Sequence, residues 1–220
     1  ATCPTAKEGT WQPGPGKPLF DAIARALGTL PIVAEDLGLI TPDVIALRDG
    51  CGFPGMKILQ FAFGGDGTHE FLPHNYTPPS FVYTGTHDND TVKGWWHSAT
   101  DRERAYAGAY LAATEHDIHW AMIRAACNSV AGQAVFPLQD VLGLDGRHRM
   151  NVPGTCGGNW GWRVRAEMLG AEPARVLGLI SAASGRGPFE LMSGKRTNLR
   201  CGSALIRPTL QAARAMTEPA

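Results

Sequence analysis

Residues 81–91 constrain the fold of this chain most, because here a strand-forming run turns into a polar cluster. The segment begins with Phe-Val-Tyr, three residues that favour strands. It continues into His87, Asp88, Asn89 and Asp90. Burying such groups without partners costs free energy, so packing alone does not explain a strand that ends in them. In parallel α/β folds the carboxyl ends of strands carry the chemistry, so the segment predicts a functional site with Asp88 as its first candidate.

Strands and helices alternate along the sequence, which predicts an α/β fold with a parallel sheet. Four strands are expected, and three of them end in polar residues: Glu35-Asp36, the cluster described above, and Gln139-Asp140. Such a set of strand ends favours function at one rim of a barrel or open sheet. The expected strands cover residues 31–34, 56–63, 81–86 and 134–138. The expected helices cover residues 19–29, 42–49, 101–113 with a capping box of Thr100 and Glu103, 117–131, and 163–182 with a break near Pro173.

Composition narrows the classes of partner. The chain has 220 residues with 20 basic and 20 acidic side chains, so a net charge of zero gives no reason to expect nucleic acid or an anionic membrane as partner. No apolar run reaches the roughly 18–20 residues of a membrane span. The first residues lack the apolar stretch of a signal peptide, and the five cysteines are scattered. We therefore expect a cytoplasmic protein with free thiols.

No sequence motif predicts a metal or a cofactor. There is no C-x-x-C pair, no phosphate loop with Gly-Lys-Ser/Thr and no G-x-S-x-G nucleophile motif. His116 and His119 have a helical spacing that could hold a metal, but no third acidic ligand is evident, so we expect both on a helix surface. His74 is expected to be a hydrogen-bonding residue of a loop.

The carboxylates are the strongest chemical candidates. Two acids and a histidine within four residues repel or compete unless they are organised, which favours function for Asp88 and Asp90. Glu35 and Asp36 could equally cap a helix or pair with a basic side chain, and the residues alone do not choose between these two acids. Carboxylates on adjacent strand ends suit glycosyl chemistry, in which one acid protonates the leaving oxygen.

Aromatic side chains could stack on sugar rings beside these carboxylates. The candidates are Trp11, Tyr76, Trp95 and Trp96, all placed in loops by their sequence context. The alternative for the Trp95-Trp96 pair is that at least one ring belongs to the core, and this alternative is favoured.

Five segments resemble the amylomaltases, also called 4-alpha-glucanotransferases or disproportionating enzymes. The resemblance covers about residues 8–185 and implies the second half of a (β/α)8 barrel, here residues 1–186. It also implies a retaining transfer of α-1,4-glucan segments between maltooligosaccharides, without a cofactor. Residues 187–220 match nothing in the family and are expected to form a weakly ordered tail. The matching segments are residues 34–44, 52–63, 73–76, 83–91 and, taken together, 138–144, 150–154 and 158–162.

The resemblance also implies roles for individual residues. Glu35 matches the general acid/base, which chooses between the two neighbouring acids. Asp88 matches a third carboxylate that holds sugar hydroxyls in the transition state, and His87 matches its sugar-binding neighbour. Further residues that fall on family positions near the glucan are Gln60, Phe61 and Asn151.

One expected feature of the family is missing from this sequence. The family nucleophile is an Asp in an Arg-x-Asp-His type of motif, and no such motif occurs here. Acidic family positions after residue 63 are partly replaced by Gly64 and Gly65. We expect the nucleophile to belong to the first half of the barrel, and the chain alone to be inactive. The alternative function is a noncatalytic glucan-binding or assembly module that works with a partner supplying the other half-barrel.

Overall fold

A computed structural model describes residues 6–10 and 12–187 of the chain, which divides into two compact units, Ala1–Met56 and Lys57–Ala220. The expected tail over residues 187–220 lies outside the described residues except for residue 187. Trp11 also lies outside the described residues. Within the described residues no helix has the length and apolar character needed to cross a bilayer.

The first unit contains two helices at the expected places. Helix α1 spans Lys17–Leu27 and ends at Gly28, whose φ of 76° suits glycine. Helix α2 spans Pro42–Gly50, with proline at its start. A short 3-10 turn, Ala6–Glu8, precedes both.

The strand expected at residues 31–34 does not form. This segment has no regular structure in the first unit, although the Ala34 amide donates to the carbonyl of Pro54 over 2.9 Å. A strand needs a ladder of such bonds with a neighbour, and one bond does not make a ladder. The apolar residues 31–34 favour an extended chain, but a strand also needs a neighbouring strand to pair with, and local propensity does not provide one.

Within the described residues the second unit is built on a three-stranded sheet, and the fourth expected strand is the one at residues 31–34 that does not form. Strand β1 spans Gly55–Ile58 and begins at the end of the first unit, β2 spans Ser80–Tyr83 and β3 spans Gln133–Val135, in the order β1-β2-β3. Strands β2 and β3 run parallel, with Val82 opposite Ala134. The expected α/β class with a parallel sheet is therefore confirmed.

Strand β1 is shorter than expected because the chain coils into a 3-10 helix, Leu59–Gly64. In this stretch Leu59, Gln60, Ala62 and Phe63 are buried and Phe61 is exposed. A strand with one buried face would alternate buried and exposed positions, which this stretch does not, so the assignment of residues 59–63 to a strand was wrong.

Helices follow the strands along the second unit, and most agree with expectation. Helix α4, Asp101–Leu111, carries the expected capping box, in which the Thr100 side chain accepts from the Glu103 amide and the Glu103 carboxylate accepts from the Thr100 amide. The last helix begins later than expected, with Pro173 in its first turn, where a missing N–H costs nothing. The helices are α3 Val92–Ser98, α4 Asp101–Leu111, α5 Ile118–Asn128, α6 Leu138–Val141 and α7 Ala171–Ala183, with 3-10 turns at Pro73–Asn75, Gly146–His148 and Ala166–Met168.

Residues 92–98, which were expected to be loop, form helix α3, and this helix carries Trp95 and Trp96. Thr91 caps it by accepting a hydrogen bond from the Gly94 amide over 3.0 Å. Trp95 and Trp96 both pack against the main core cluster, which confirms the expectation that at least one of these rings belongs to the core. Tyr76 is also core, because it is 7% exposed and its hydroxyl donates to the Phe71 carbonyl, so the idea that it stacks on sugar was wrong.

Candidate functional site

The polar cluster after β2 folds into a closed turn. Oδ1 of Asn89 accepts hydrogen bonds from the amide and the hydroxyl of Thr86, at 2.8 and 3.0 Å, and the Asn89 amide donates to the Thr86 carbonyl at 3.2 Å. An Asn that bonds backbone this way fixes a turn without help from a ladder. The turn leaves His87 and Asp88 at its outer side, with side chains 55% and 51% exposed.

The Asp88 carboxylate is exposed but held in place. Its Oδ1 accepts from the side chain of Asn151 at 2.6 Å and lies 3.5 Å from Nε2 of His87. Within the described part of the chain no hydrogen bond uses Oδ2 of Asp88. Three residues that the sequence placed near a glucan therefore meet at one point, with an acceptor oxygen left for a ligand.

Arg149 connects the two segments that meet at this point, and sequence reasoning missed it. Its Nη2 donates to the Asp88 carbonyl at 2.6 Å and its Nε donates to the Asn151 carbonyl at 2.7 Å. The Asn151 amide in turn donates to the His87 carbonyl at 3.1 Å. Only its position two residues before Asn151 could have pointed to Arg149, because its bond to Asp88 joins residues 61 positions apart in sequence.

Trp160 adds an exposed ring beside His87. The two ring centroids are 4.9 Å apart with an interplanar angle of 42°, and Trp160 is 54% exposed. Its φ of 60° is unusual for a bulky residue, and a bond of 2.7 Å from its amide to the Met150 carbonyl holds that conformation. Strained backbone of this kind concentrates at functional sites, and an exposed ring can cover the apolar face of a sugar.

Asp90 behaves differently from Asp88. Its Oδ1 accepts from the Thr91 amide at 2.7 Å, and its carboxylate lies so close to Gly94 and Gly146 that neither position has room for a Cβ atom. Asp90 is therefore packed into the turn as a structural group. The structure separates the two acids that the sequence had grouped together.

Gln60 and Phe61 lie on the 3-10 helix next to this turn. Gln60 is 6% exposed and its Nε2 donates to the Asp90 carbonyl at 2.9 Å, so it supports the turn from the interior. Gly85 makes room for it, since a Cβ there would lie 2.6 Å from Nε2. Phe61 is 43% exposed and packs at 5.8 Å from the ring of Phe71.

In the first unit the structure distinguishes Glu35 from Asp36. Asp36 accepts from the Met56 amide at 2.7 Å and forms an ion pair with Arg48, leaving its side chain 6% exposed. Glu35 is exposed, and no side chain of the described residues bonds its carboxylate. Asp36 is thus a structural carboxylate, whereas Glu35 is available for chemistry.

A separate open cleft of about 340 Å³ lies beside α3. Two basic and two acidic side chains line the cleft, so their charges cancel near neutral pH and give no net attraction for an anion. The Arg147 guanidinium holds the pKa of Asp145 down at about 2. The ionisable lining residues are Lys93, His97, Glu115, His116, Asp145, Arg147 and His148.

Two further histidines, His74 and His119, have structural positions. His74 bonds the Tyr110 hydroxyl and the Gly67 carbonyl, both at 2.8 Å, as expected of a loop residue. His116 is exposed, but His119 is 8% exposed, so the expectation of a surface position was wrong for His119 because α5 packs against helices on several sides. Among the described residues no cluster of three or more His, Cys, Asp or Glu side chains could hold a metal ion.

Comparison with known proteins gives consistent matches over most of the chain. A sequence model of the family described as 4-alpha-glucanotransferase matches residues 1–168. The 4-alpha-glucanotransferase of Synechocystis is 51% identical over 185 residues, which are 83% of this chain and 37% of that protein. The 4-alpha-glucanotransferase of Thermus thermophilus is 47% identical over 194 residues, 84% of this chain and 39% of that protein.

A solved structure matches as well. The amylomaltase from Streptococcus agalactiae, in complex with acarbose, superposes with a TM-score of 0.79 at 40% identity, covering 83% of this chain and 37% of that one. The chain thus spans less than two fifths of the length of the relatives that it matches.

Proposed function

The chain belongs to the 4-alpha-glucanotransferase family, and from this premise we propose that it supplies the acid/base half of a site that transfers α-1,4-glucan segments between maltooligosaccharides. The observation that carries the proposal is the exposed Asp88 carboxylate, which is held by Asn151 and lies beside His87, whose ring in turn contacts Trp160. Identity near 50% to proteins named for this activity supports the same assignment.

Asp88 is suited to hold sugar hydroxyls. With Oδ1 engaged by Asn151, the second oxygen can accept hydrogen bonds from two neighbouring hydroxyls of one ring. Charge-assisted bonds of this kind are about twice as strong as neutral ones. The exposed ring of Trp160 can cover the apolar face of the same or the next sugar. The imidazole of His87, between them, can donate to a further hydroxyl.

Glu35 is the proposed general acid/base. A carboxylate nucleophile attacks the anomeric carbon while the proton of Glu35 passes to the departing glycosidic oxygen, which leaves a glycosyl ester. Glu35 then takes the proton of an acceptor hydroxyl as that oxygen displaces the ester, so the carboxylate and the acid are both restored. Its exposure and its free carboxylate in the first unit support this role.

The nucleophile is proposed to come from the other half of a (β/α)8 barrel, of which residues 1–186 form the second half. No Arg-x-Asp-His motif occurs in this sequence. Free thiols at Cys51, Cys127 and Cys156 fit the proposed cytoplasmic location.

A second candidate is a noncatalytic glucan-binding module, which the exposed Asp88 cluster supports equally well. Two experiments on the purified chain separate three cases. The first is incubation with maltotriose followed by chromatography of the products, and the second is titration with maltooligosaccharides. Binding without longer or shorter products is expected for the chain alone. Strong disproportionation would show that the nucleophile lies within these residues. Absence of binding would refute both candidates.

The partner half-barrel provides the test between the two candidates. Light scattering identifies a complex, and addition of the first half from a relative should restore turnover if the chain is a catalytic half. Turnover should then be lost with Glu35→Gln while binding persists. A complex that binds glucan and stays inactive would favour the noncatalytic module.

A further inference from the structure

Asp140 is a fully buried carboxylate outside the cluster described above. It is 1% exposed and lies on α6, after β3. Its Oδ2 accepts from the hydroxyl of Thr84 at 2.6 Å, and its Oδ1 accepts from the amide of Val92 at 2.7 Å. Both oxygens are therefore bonded to donors from another part of the sequence.

These two donors bracket the turn that carries Asp88. Thr84 follows the last residue of β2, and Val92 is the first residue of α3. One carboxylate thus fixes the chain where it enters the turn and where it leaves. Gln60 adds a third internal bond, to the Asp90 carbonyl at 2.9 Å. On the outer side the turn is held by Arg149 and Asn151, which bond the carbonyls of Asp88 and His87.

We propose that Asp140 is a positioning residue that holds the turn of residues 85–91 in the geometry that presents Asp88 to the sugar, an inference that rests on the proposed function. Its bonds to Thr84 and Val92 act on Asp88 through the backbone. Asp140 itself is too deeply buried to touch a ligand.

The chemistry of the site supports a carboxylate in this role. Burial raises the pKa of Asp140 to about 6. The charge of Asp90 also raises this pKa, whereas the hydrogen bonds from Thr84 and Val92 lower it. A buried charge is costly for folding, so a neutral side chain would stabilise the fold more at neutral pH. A charged acceptor gives shorter and stronger bonds to both donors, which makes the turn stiffer.

Two variants test this proposal. Thr84→Val keeps the shape of the side chain and removes one donor, while Asp140→Asn keeps the size and removes the charge. Ile123→Val is the matched control, since Ile123 is fully buried in α5 and packs in a different cluster. The readouts are amide hydrogen exchange at Asn89 and Asn151, which bond across the turn, and titration with maltooligosaccharide.

In Thr84→Val we expect the amides of Asn89 and Asn151 to exchange about tenfold faster relative to the rest of the unit, as for loss of one hydrogen bond. Glucan affinity should fall by a similar factor, and Asp140→Asn should lie between this variant and the wild type. In Ile123→Val exchange should rise uniformly without a selective change at the turn. Uniform exchange in Thr84→Val as well would overturn the proposal.

The titration separates this inference from the proposed function. A wild-type chain that binds no maltooligosaccharide refutes the proposed function, while amide exchange still reports whether Asp140 orders the turn. A wild-type chain that binds, together with a Thr84→Val variant that binds equally well, refutes the positioning role and leaves the proposed function intact.

Discussion

The side chain of Asn151 donates a hydrogen bond of 2.6 Å to Oδ1 of Asp88, across 63 positions of sequence. This bond leaves one carboxylate oxygen free and fixes the plane of the carboxylate.

We expect Asn151→Ala to weaken maltooligosaccharide binding roughly fivefold, since a bond to an exposed charged group is worth about 1 kcal/mol. Calorimetric titration measures the change. The control is Asn128→Ala, an exposed asparagine at the end of α5, which should bind as the wild type does. Equal affinities for both variants would contradict the role of Asn151.

Loss of charge should affect stability strongly at Asp36 and hardly at all at its neighbour Glu35. Asp36→Asn breaks a largely buried ion pair with Arg48 and weakens the bond from the Met56 amide, so we expect a loss of about 2 kcal/mol of stability. Glu35→Gln should change stability by less than about 0.5 kcal/mol, because Glu35 is exposed. Urea unfolding gives both values, and the exchange rate of the Met56 amide reports the local effect. A larger loss in Glu35→Gln would mean that Glu35 is the structural acid.

Glycine at position 94 is required by Asp90. A Cβ atom there would collide with the carboxylate of Asp90, which is itself held by the Thr91 amide. We expect Gly94→Ala to destabilise the fold by about 2 kcal/mol, as for other overpacked sites. Gly67→Ala is the control, because nothing lies within 4 Å of a Cβ at that position. Urea midpoints compare the two, and an unchanged midpoint for Gly94→Ala would show that the turn relaxes freely.

Two buried groups should give opposite pH dependences of stability. Burial lowers the pKa of His119 to about 4, with a further contribution from Lys93 and an opposing one from Asp117. Between pH 6.5 and 4 the unfolded chain therefore binds the extra proton, and the fold loses stability as the pH falls. The pKa of Asp140 is raised to about 6 from 3.8. Here the folded chain binds the extra proton, so the fold gains stability as the pH falls from 6. Each effect amounts to about 3 kcal/mol over its full range.

Variants should reveal these opposing effects. On acidification from pH 6.5 to 4.5, His119→Gln should lose less stability than the wild type or gain some, because only the Asp140 effect remains. Asp140→Asn should lose more, because only the His119 effect remains. Urea unfolding at the two pH values measures the differences, in which the other titrating groups cancel. Variants whose stability changes in parallel with the wild type would contradict this assignment.

Local signals in the sequence predicted most of the secondary structure. The capping box of Thr100 and Glu103, the glycine that ends α1 and the proline that starts α2 each act within a few residues, so they can be read without knowledge of the fold. The strand expected at residues 31–34 failed for the opposite reason. A strand exists only with a partner, and the partner is not encoded locally.

The same distinction applies to the site. The polar turn with Asp88 was visible because its residues are adjacent in sequence. Arg149, Trp160 and the anchoring role of Asp140 were not, because each acts on residues that are remote in sequence. Even the separation of Asp88 from Asp90 required the packing of Asp90 against two glycines.

A maltooligosaccharide titration followed by two-dimensional NMR of the backbone amides tests the central claim most directly. We expect saturable shifts centred on His87, Asp88, Asn151 and Trp160 with an α-1,4-linked ligand, and none with a β-1,4-linked glucan of the same length. Asp88→Asn should reduce these shifts while the spectrum elsewhere stays that of the folded chain. Shifts that map away from this turn, or equal shifts with both glucans, would contradict the assignment of this surface as the glucan site.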